Sequence, residues 1–541
     1  MSSSHPIGEL EIVQRSAHGH AFAIRGDLSR ITADAYILPS DAYGKVEHYW
    51  GWLAGQSSDG STRQLTGSAR ALRTRHHAWV DEGGRPRVLA VDVGGDTETN
   101  FVHEVADRFS LALEELEAMP GSKDASPRSR PLVAMPLIGV AGGGLGENTG
   151  TMITELLATI SRHFSKRNSD TRAFDIALVC RSSSDYAAVQ HARRQGLTGS
   201  APAWLAQIVK HAQSHQLAVL FGAGASASQG LPLWDQLLRE LALALPQKQI
   251  PATALAALDP VDAATLLIEA GGEPWFTGEL RSLLWREDHS LTHGLIANLK
   301  PALAITTNYD RGYELAVESM GGLPLVVLPW DRSHSLRQPH LLKLHGDLER
   351  GQIVLSRDEF VAMQAFRRPL TGILQERMLV GHVLTVGTSM TDSTLVHAAE
   401  EVRALVQQAL AGDAGALEDR GKSGTALLTL SEPGQEMLLE RAFEVAVAST
   451  GHSNETGEAA RQIDVLLDWV AMMATDDLSF VLSTRYRGLL SDGDQSVADV
   501  LHSFARQYQT HREDHAEASD LQTSLDAYLQ SLGLDVAEGW G

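Results

Sequence analysis

The sequence predicts an α/β protein: two successive sheet-based domains and a helical C-terminal tail. Three observations carry this. Short apolar, partly β-branched runs recur along the chain. Segments with apolar residues spaced by threes and fours stand between them. A glycine turn directly follows one of the runs, as it does where a buried parallel strand feeds a helix. At ~150 residues per domain, a chain of 541 residues accommodates about three folding units.

In order, Ala35–Pro39, Arg87–Val93, Pro131–Leu137 and Phe174–Cys180 read as strands. Phe101–Ala118 reads as a helix, with Val102, Val105, Phe109, Leu113 and Leu116 on one face. Thr151–Phe164 reads the same way through Ile153, Leu156, Leu157, Ile160 and Phe164. Gly121–Arg130 is a loop by composition. A second α/β block starts near Ala201, with strands expected at Leu217–Phe221, Ala302–Thr306, Leu325–Leu328, His340–Leu344, Ile353–Leu355 and Val383–Val386. Two more are expected at Thr425–Thr429 and Phe443–Val447. Trp234–Leu245 is an amphipathic helix, Gln247–Trp285 a helical insertion and Ala411–Ser423 a flexible loop. The expected domains are 1–200, 201–475 and a helical extension 476–541.

Composition narrows the function. There are 45 Lys+Arg against 67 Asp+Glu, a net charge of −22. Phosphate backbones are neutralised by Lys and Arg, so direct nucleic-acid binding is not expected of the chain as a whole. No apolar run approaches the ~20 residues of a membrane span, and MSSSHPIGEL lacks the features of a secretory signal, so a cytoplasmic protein is expected. The single cysteine, Cys180, permits neither an internal disulfide nor a four-cysteine zinc cluster. The 22 histidines show no HExxH, and no metal is expected. Gly144–Gly150 lacks the lysine of a Walker motif.

The candidate chemistry sits at strand ends. Gly222 and Gly224 follow Leu217–Phe221, where glycines allow a tight turn and close approach to a diphosphate, and Ser226 with the following N–H groups can bind its oxygens. Glycines that only close a strand–helix turn would read the same way. AITTNYD runs from a strand into Asn308 and Asp310, LLKLHGDL into His345 and Asp347, and LTVGTSMTD into Gly387, Ser389 and Asp392. In open α/β sheets ligands bind outside the carboxyl ends of the strands, so these four ends predict one pocket.

The ordered set GAGAS, TTNYD, KLHGD and GTSMTD resembles the sirtuin-like family over roughly Ala201–Ala474, and HSLTHGLIANLK and IVLSRDEF resemble its flanking segments. The resemblance implies a Rossmann-like sheet with NAD+ as substrate. Gly222, Ala223, Gly224 and Ser226 would hold its phosphates; Asn308 and Asp310, beside Thr307, would sit near the nicotinamide ribose. His345 would be the catalytic histidine, and Gly387 and Ser389 would line the adenosine side. Lacking cysteines for the family's zinc module, the chain looks closer to the zinc-less NAD-consuming effectors of bacterial antiviral defence, such as those of Thoeris systems. That implies an NAD+ hydrolase. A silent NAD- or ADP-ribose-sensing module, an ADP-ribosyltransferase and a structural partner in a larger ATPase complex remain alternatives.

The first block resembles a macro domain over about residues 8–198, a three-layer α/β fold that binds ADP-ribose and its relatives. Asp27 matches its Gly-Asp start, and Gly139, Gly142, Gly143, Gly144 and Gly146 match its phosphate-cradling loop. The resemblance implies a sensor for an ADP-ribose-derived signal nucleotide; a ligand-free scaffold is the bland reading. PSDAYGKVEHYWGWLAG departs from the family's first loop, so hydrolase activity is not implied there. Tyr43, Tyr49, Trp50 and Trp52 in that stretch either stack on a base or pack in the domain seam. A homo-oligomer is expected.

Overall fold

The computed structural model describes residues 4–47, 50, 63–64, 69–80, 87–94, 101–117, 128–140, 148–166, 173–197, 201–245, 250, 255, 258–335, 337–351, 353–359, 361, 368–449, 456–513 and 520–534. In chain order the strands are β1 (His5–Pro6), β2 (Ala21–Arg25), β3 (Ala35–Ser40), β4 (Lys45–Val46), β5 (Arg63–Gln64), β6 (His77–Val80), β7 (Arg87–Asp92), β8 (Leu132–Pro136) and β9 (Asp175–Cys180). They continue with β10 (Leu217–Phe221), β11 (Leu303–Thr306), β12 (Val326–Leu328), β13 (His340–Lys343), β14 (His382–Val386), β15 (Gly424–Leu430) and β16 (Phe443–Ser449). One six-stranded sheet runs β2-β9-β8-β3-β7-β6, parallel except for β6. A second, eight-stranded and wholly parallel, runs β1-β16-β15-β14-β10-β11-β13-β12. The α/β class is as the sequence predicts.

The period-two geometry of strands explains the layering. In β2, Phe22 and Ile24 enter a core shared with the second sheet, while Ala23 between them enters the opposite core. In β10, Val219 and Phe221 face the shared core, and Ala218 and Leu220 face the far side. Both faces of each sheet are thus covered, which is why these strands read as continuous apolar runs. The shared core is completed by the helices Ala203–Gln213, Leu291–Asn298 and Thr456–Ala474, whose apolar faces lie in it. The helices Phe101–Glu117 and Thr149–Ser165 cover the outer face of the first sheet, and Arg368–Val380 and Ser393–Ala409 that of the second.

Packing departs from sequence order at two points. β1 is an edge strand of the second sheet, pairing His5 with Ala446, although it precedes the first sheet in the chain. The C-terminal segment packs on the first sheet's outer core through Phe480, Tyr486, Leu489 and Leu529, and not on its sequence neighbour.

Two local expectations are corrected. Ile353–Leu355 forms no strand: the Val354 N–H donates to His345 O at 2.8 Å and its carbonyl accepts from Tyr309 Oη, so its hydrogen bonds go to loops. Ala411–Ser423 contains a helix, Ala414–Arg420, because Asp413 caps it at Ala416 N and Gly421, at φ +69°, ends it. Polar composition concealed those signals. The helical insertion holds Pro260–Gly271 and Glu273–Leu284, which form a small core of their own with Trp234–Ala244.

Candidate functional site

β10 lies in the middle of the second sheet, flanked by β11 on one side and β14 on the other. From β10 the chain lays down β11, then β12 at the edge and β13 between them, and crosses back to build β14, β15 and β16. The strand order therefore reverses between β10 and β14, where α/β sheets open a crevice. The loops leaving these two strands interlock. Gly224 N donates to Gly387 O at 2.8 Å. A Cβ on Gly222 would stand 2.8 Å from Gly387 O, and one on Gly387, at φ +60°, would stand 2.5 Å from Ala225 N. Glycine at these positions is required by backbone contact alone, whatever else binds there.

Beside this junction stands a buried polar cluster. Thr306 Oγ1 donates to Phe221 O at 2.9 Å and receives the Asn308 N–H at 3.0 Å, which turns the chain as β11 ends. Asn308 Nδ2 then donates to Gly222 O and to Ser226 Oγ, both at 3.1 Å. Ser226 donates to Asp310 Oδ2 at 2.8 Å, and Asp310 Oδ1 accepts from Gly312 N at 2.8 Å. With Nδ2 committed on one side, the Asn308 amide turns Oδ1 to the other.

His345 extends the site across the sheet. Its Nε2 lies 3.2 Å from Asp392 Oδ2, while Asp392 Oδ1 caps the helix Ser393–Ala409 at Thr394 N, 2.8 Å away. His345 follows β13 and Asp392 follows β14, with β11 and β10 between them. Three strand spacings of about 4.8 Å separate β13 from β14. The contact therefore bridges the carboxyl ends of β10 and β11, the ends that carry Gly222 and Asn308.

Beneath lies a buried ammonium. Lys343 Nζ donates to Asp310 O at 2.7 Å, Glu314 Oε1 at 2.7 Å and Asp347 Oδ2 at 2.6 Å. Asp347 Oδ1 accepts the N–H groups of Glu349 and Arg350, both at 2.7 Å. Burial opposes the charge on Lys343, yet Glu314 and Asp347 hold its pKa above the ordinary value. Burial likewise opposes the Asp347 charge, and Lys343 with the backbone N–H groups keeps that carboxyl below its usual range. Burial raises the Glu314 pKa despite Lys343. The trio ties TTNYD to KLHGD.

The structure thus brings together Gly222, Ala223, Gly224, Ser226, Thr307, Asn308 and Asp310 on two neighbouring loops, with His345 reaching over them and Gly387 interlocked beside them. Ser389 is exposed and pairs with Thr391 Oγ1 at 2.7 Å. In the first sheet Asp27 caps a short 3-10 turn through Ser29 N at 2.9 Å and lies 3.9 Å from Arg181. Gly139, at φ +74°, packs between Val105 and Met152. Gly142, Gly143, Gly144 and Gly146 lie outside the described residues, as do Tyr49 and Trp52. Trp50 packs in the shared core, and Tyr43 is exposed.

Sequence reasoning missed Ser290, His293 and the role of Asp392. Ser290 Oγ donates to Ala225 O at 2.7 Å, and His293 is fully buried against Ser226 and Asp310. Their signal was the Ser-x-x-His spacing in HSLTHGL, at the start of a short helix that is buried along its whole length. Among the described residues no group of three or more His, Cys, Asp or Glu could hold a metal ion. No helix there is long and apolar enough to cross a membrane.

Three of the four strand ends in this site fall within one stretch of chain. Residues 302–422 match the SIR2-like domain family. That match spans TTNYD, KLHGD and GTSMTD; the Gly222–Ser226 loop and His293 precede it, and the SIR2-like segment acquires them through the sheet. No curated protein matches the chain. Among solved structures the chain is similar to a Sir2 homolog–NAD complex, at 15% identity and a TM-score of 0.30, covering 52% of this chain and 98% of the other. It is also similar to the Oceanobacillus iheyensis macrodomain with ADP, at 15% identity and a TM-score of 0.25, covering 33% of this chain and 92% of that one. A mutant of that macrodomain with ADPR gives 14% identity and a TM-score of 0.24, over 36% and 98%.

Proposed function

We propose that the chain is an NAD+ hydrolase that cleaves the nicotinamide–ribose bond in its second domain, residues 201–475, under control of the macro-like domain 1–200. The observation that carries this reading is the set Ser226, Asn308, Asp310 and His345, gathered at the carboxyl ends of β10, β11 and β13 beside the point where strand order reverses. A SIR2-like segment, residues 302–422, that holds Asn308, Asp310 and His345 and lies against Ser226 supports NAD+ as the substrate. The mechanism follows from the bond. Nicotinamide departs neutral from a pyridinium, so it needs no proton, and positive charge grows on the ribose. The Asp310 carboxylate stabilises that charge. Asn308 Oδ1 orients water or a ribose hydroxyl, and His345, paired with Asp392, takes the proton that water releases as it adds to the ribosyl carbon. NAD+ and water become ADP-ribose, nicotinamide and a proton.

Control by the first domain is supported by direct contact. His289 N donates to Arg30 O at 2.7 Å, and Thr32 N to His289 O at 2.9 Å. The segment that begins at Asp27 is thereby stitched to the residue preceding Ser290. We place the protein in stress- or phage-triggered NAD+ depletion on the resemblance of its motifs.

The test is nicotinamide release from NAD+ by the purified chain, with and without ADP-ribose and its cyclic isomers. Asn308→Ala and His345→Ala are each expected to lower it by about 10²–10⁴-fold while the chain stays folded. Undiminished release from the double variant sinks the assignment. Label transferred from NAD+ to protein identifies a transferase, and binding without turnover a silent sensor.

A further inference from the structure

The turn that opens the helix Leu291–Asn298 reaches the site from below. Ser290 caps this helix at His293 N, 3.0 Å away. The His293 ring stands between two serines: Nδ1 lies 3.0 Å from Ser290 Oγ and Nε2 lies 3.5 Å from Ser226 Oγ. The single Ser290 hydroxyl proton goes to Ala225 O at 2.7 Å. Toward Nδ1, Ser290 can therefore only accept, so Nδ1 carries the ring proton and Nε2 the lone pair. The ring has no room to turn away. A Cβ on Gly312 would stand 2.3 Å from its Cε1, and Phe221 packs edge-on at 5.7 Å between centroids.

The orientation propagates. The one Ser226 hydroxyl proton points to the side holding both acceptors, with Asp310 Oδ2 the main partner at 2.8 Å and His293 Nε2 the weak one at 3.5 Å, so the lone pairs of Ser226 face Asn308 Nδ2. That contact fixes which end of the Asn308 amide faces inward. The titratable or charged groups around His293 are Asp310, Lys343 and His289. Burial drives the ring below its ordinary pKa; Asp310 opposes this and Lys343 adds to it.

We propose that His293 is a positioning residue of the site: held as the Nδ1–H tautomer by Ser290, it presents Nε2 to Ser226 and so sets the Ser226–Asp310–Asn308 arrangement that NAD+ meets. The inference rests on the NAD+-cleavage reading.

The experiment uses the full chain with Ser290→Ala, Ser290→Thr and His293→Gln, measuring kcat/KM for nicotinamide release, NAD+ affinity by calorimetry and thermal unfolding. His293→Gln is expected to lower kcat/KM by about 10²-fold, as misplacement of reacting groups by ~1 Å does, and to weaken NAD+ binding. Ser290→Ala, which keeps the ring but frees its tautomer, should cost about tenfold. Ser290→Thr, which restores the hydroxyl, should recover most of that. Wild-type kcat/KM in His293→Gln, or losses that only follow the unfolded fraction, overturn the proposal. If the wild-type chain binds NAD+ but releases no nicotinamide, the cleavage reading fails by itself. The same variants ranked by NAD+ affinity then decide: the order above sustains positioning, and unchanged affinity in His293→Gln overturns it. A wild-type chain that binds no NAD+ overturns both.

Discussion

Two buried polar clusters meet at one residue, and they are built on opposite plans. Thr292 Oγ1 donates to Asp464 Oδ1 at 2.7 Å, linking the helix that carries His293 to the helix Thr456–Ala474. On that second helix Arg461, Asp464 and Asp468 lie on one face and seam the two sheets together. Arg461 grips Asp175 with two hydrogen bonds, at 2.8 and 2.7 Å, and reaches Ser16 O at 2.9 Å. Asp468 accepts from Arg193 and His20, and its Oδ1 also from Ala23 N at 3.1 Å. There charge meets opposite charge, and the contacts close on the protein itself. Above its own buried Lys343–Asp347 pair, the site instead combines an amide, a hydroxyl, an imidazole and a carboxylate, and it turns Asn308 Oδ1 and His345 toward the strand ends. Charges matched inside the protein hold domains together.

The comparison breaks if seam variants act like site variants. Asp175→Ala removes the carboxylate that holds the buried Arg461 guanidinium by two hydrogen bonds, leaving it the Glu458 carboxylate at 3.2 Å, and should cost about 3–5 kcal/mol of stability, measured by denaturant unfolding. Nicotinamide release per folded molecule should hardly change. A large loss of turnover with little loss of stability would merge the two clusters. Gly387→Ala tests the junction between them and the crevice. A Cβ in a left-handed backbone against Ala225 N should cost about 1–3 kcal/mol and weaken NAD+ binding as well. Lost stability with intact affinity would make the interlock purely structural.

Acid sharpens the contrast further. Burial opposes the Asp468 charge, but Arg193 and His20 hold its pKa at about 2. A carboxyl depressed from about 3.9 contributes stability above its unfolded pKa and loses it as pH falls through the folded value. About 2 kcal/mol should therefore disappear between about pH 4 and pH 2. Asp468→Asn, less stable at neutral pH, should lose less over that window in urea titrations at several pH values. Equal losses in both proteins would assign the acid sensitivity elsewhere.

Much of this was legible in the chain because local rules sufficed. Leu217–Phe221, a short apolar run followed by glycines, reads as a buried strand feeding a turn. Asn308 and His345 could be picked out because polar residues at successive strand ends converge in a parallel sheet. What stayed hidden depended on distance along the chain. β2, Ala21–Arg25, was not recognised because its apolar run is only the four residues Ala21–Ile24, with polar residues on both sides. The edge position of β1 beside β16 joins residues more than 400 apart in sequence, and no periodicity encodes that. His293 looked like one more helix residue, since its importance comes from Ser226 and Asp310, 67 and 17 positions away.

By itself, the sequence determined the α/β class, the alternation of strands and helices, and the strand ends where the candidate site residues stand. Each follows from hydrophobic periodicity and from glycine's freedom at φ > 0, which neighbouring residues decide. Only the tertiary structure decided that the two sheets share one core, that Asp392 bridges to His345 over two intervening strands, and that Ser290 stands against His293 Nδ1. Those facts rest on contacts between segments far apart in the chain, and a buried hydrogen bond takes its meaning from the partner that folding brings to it.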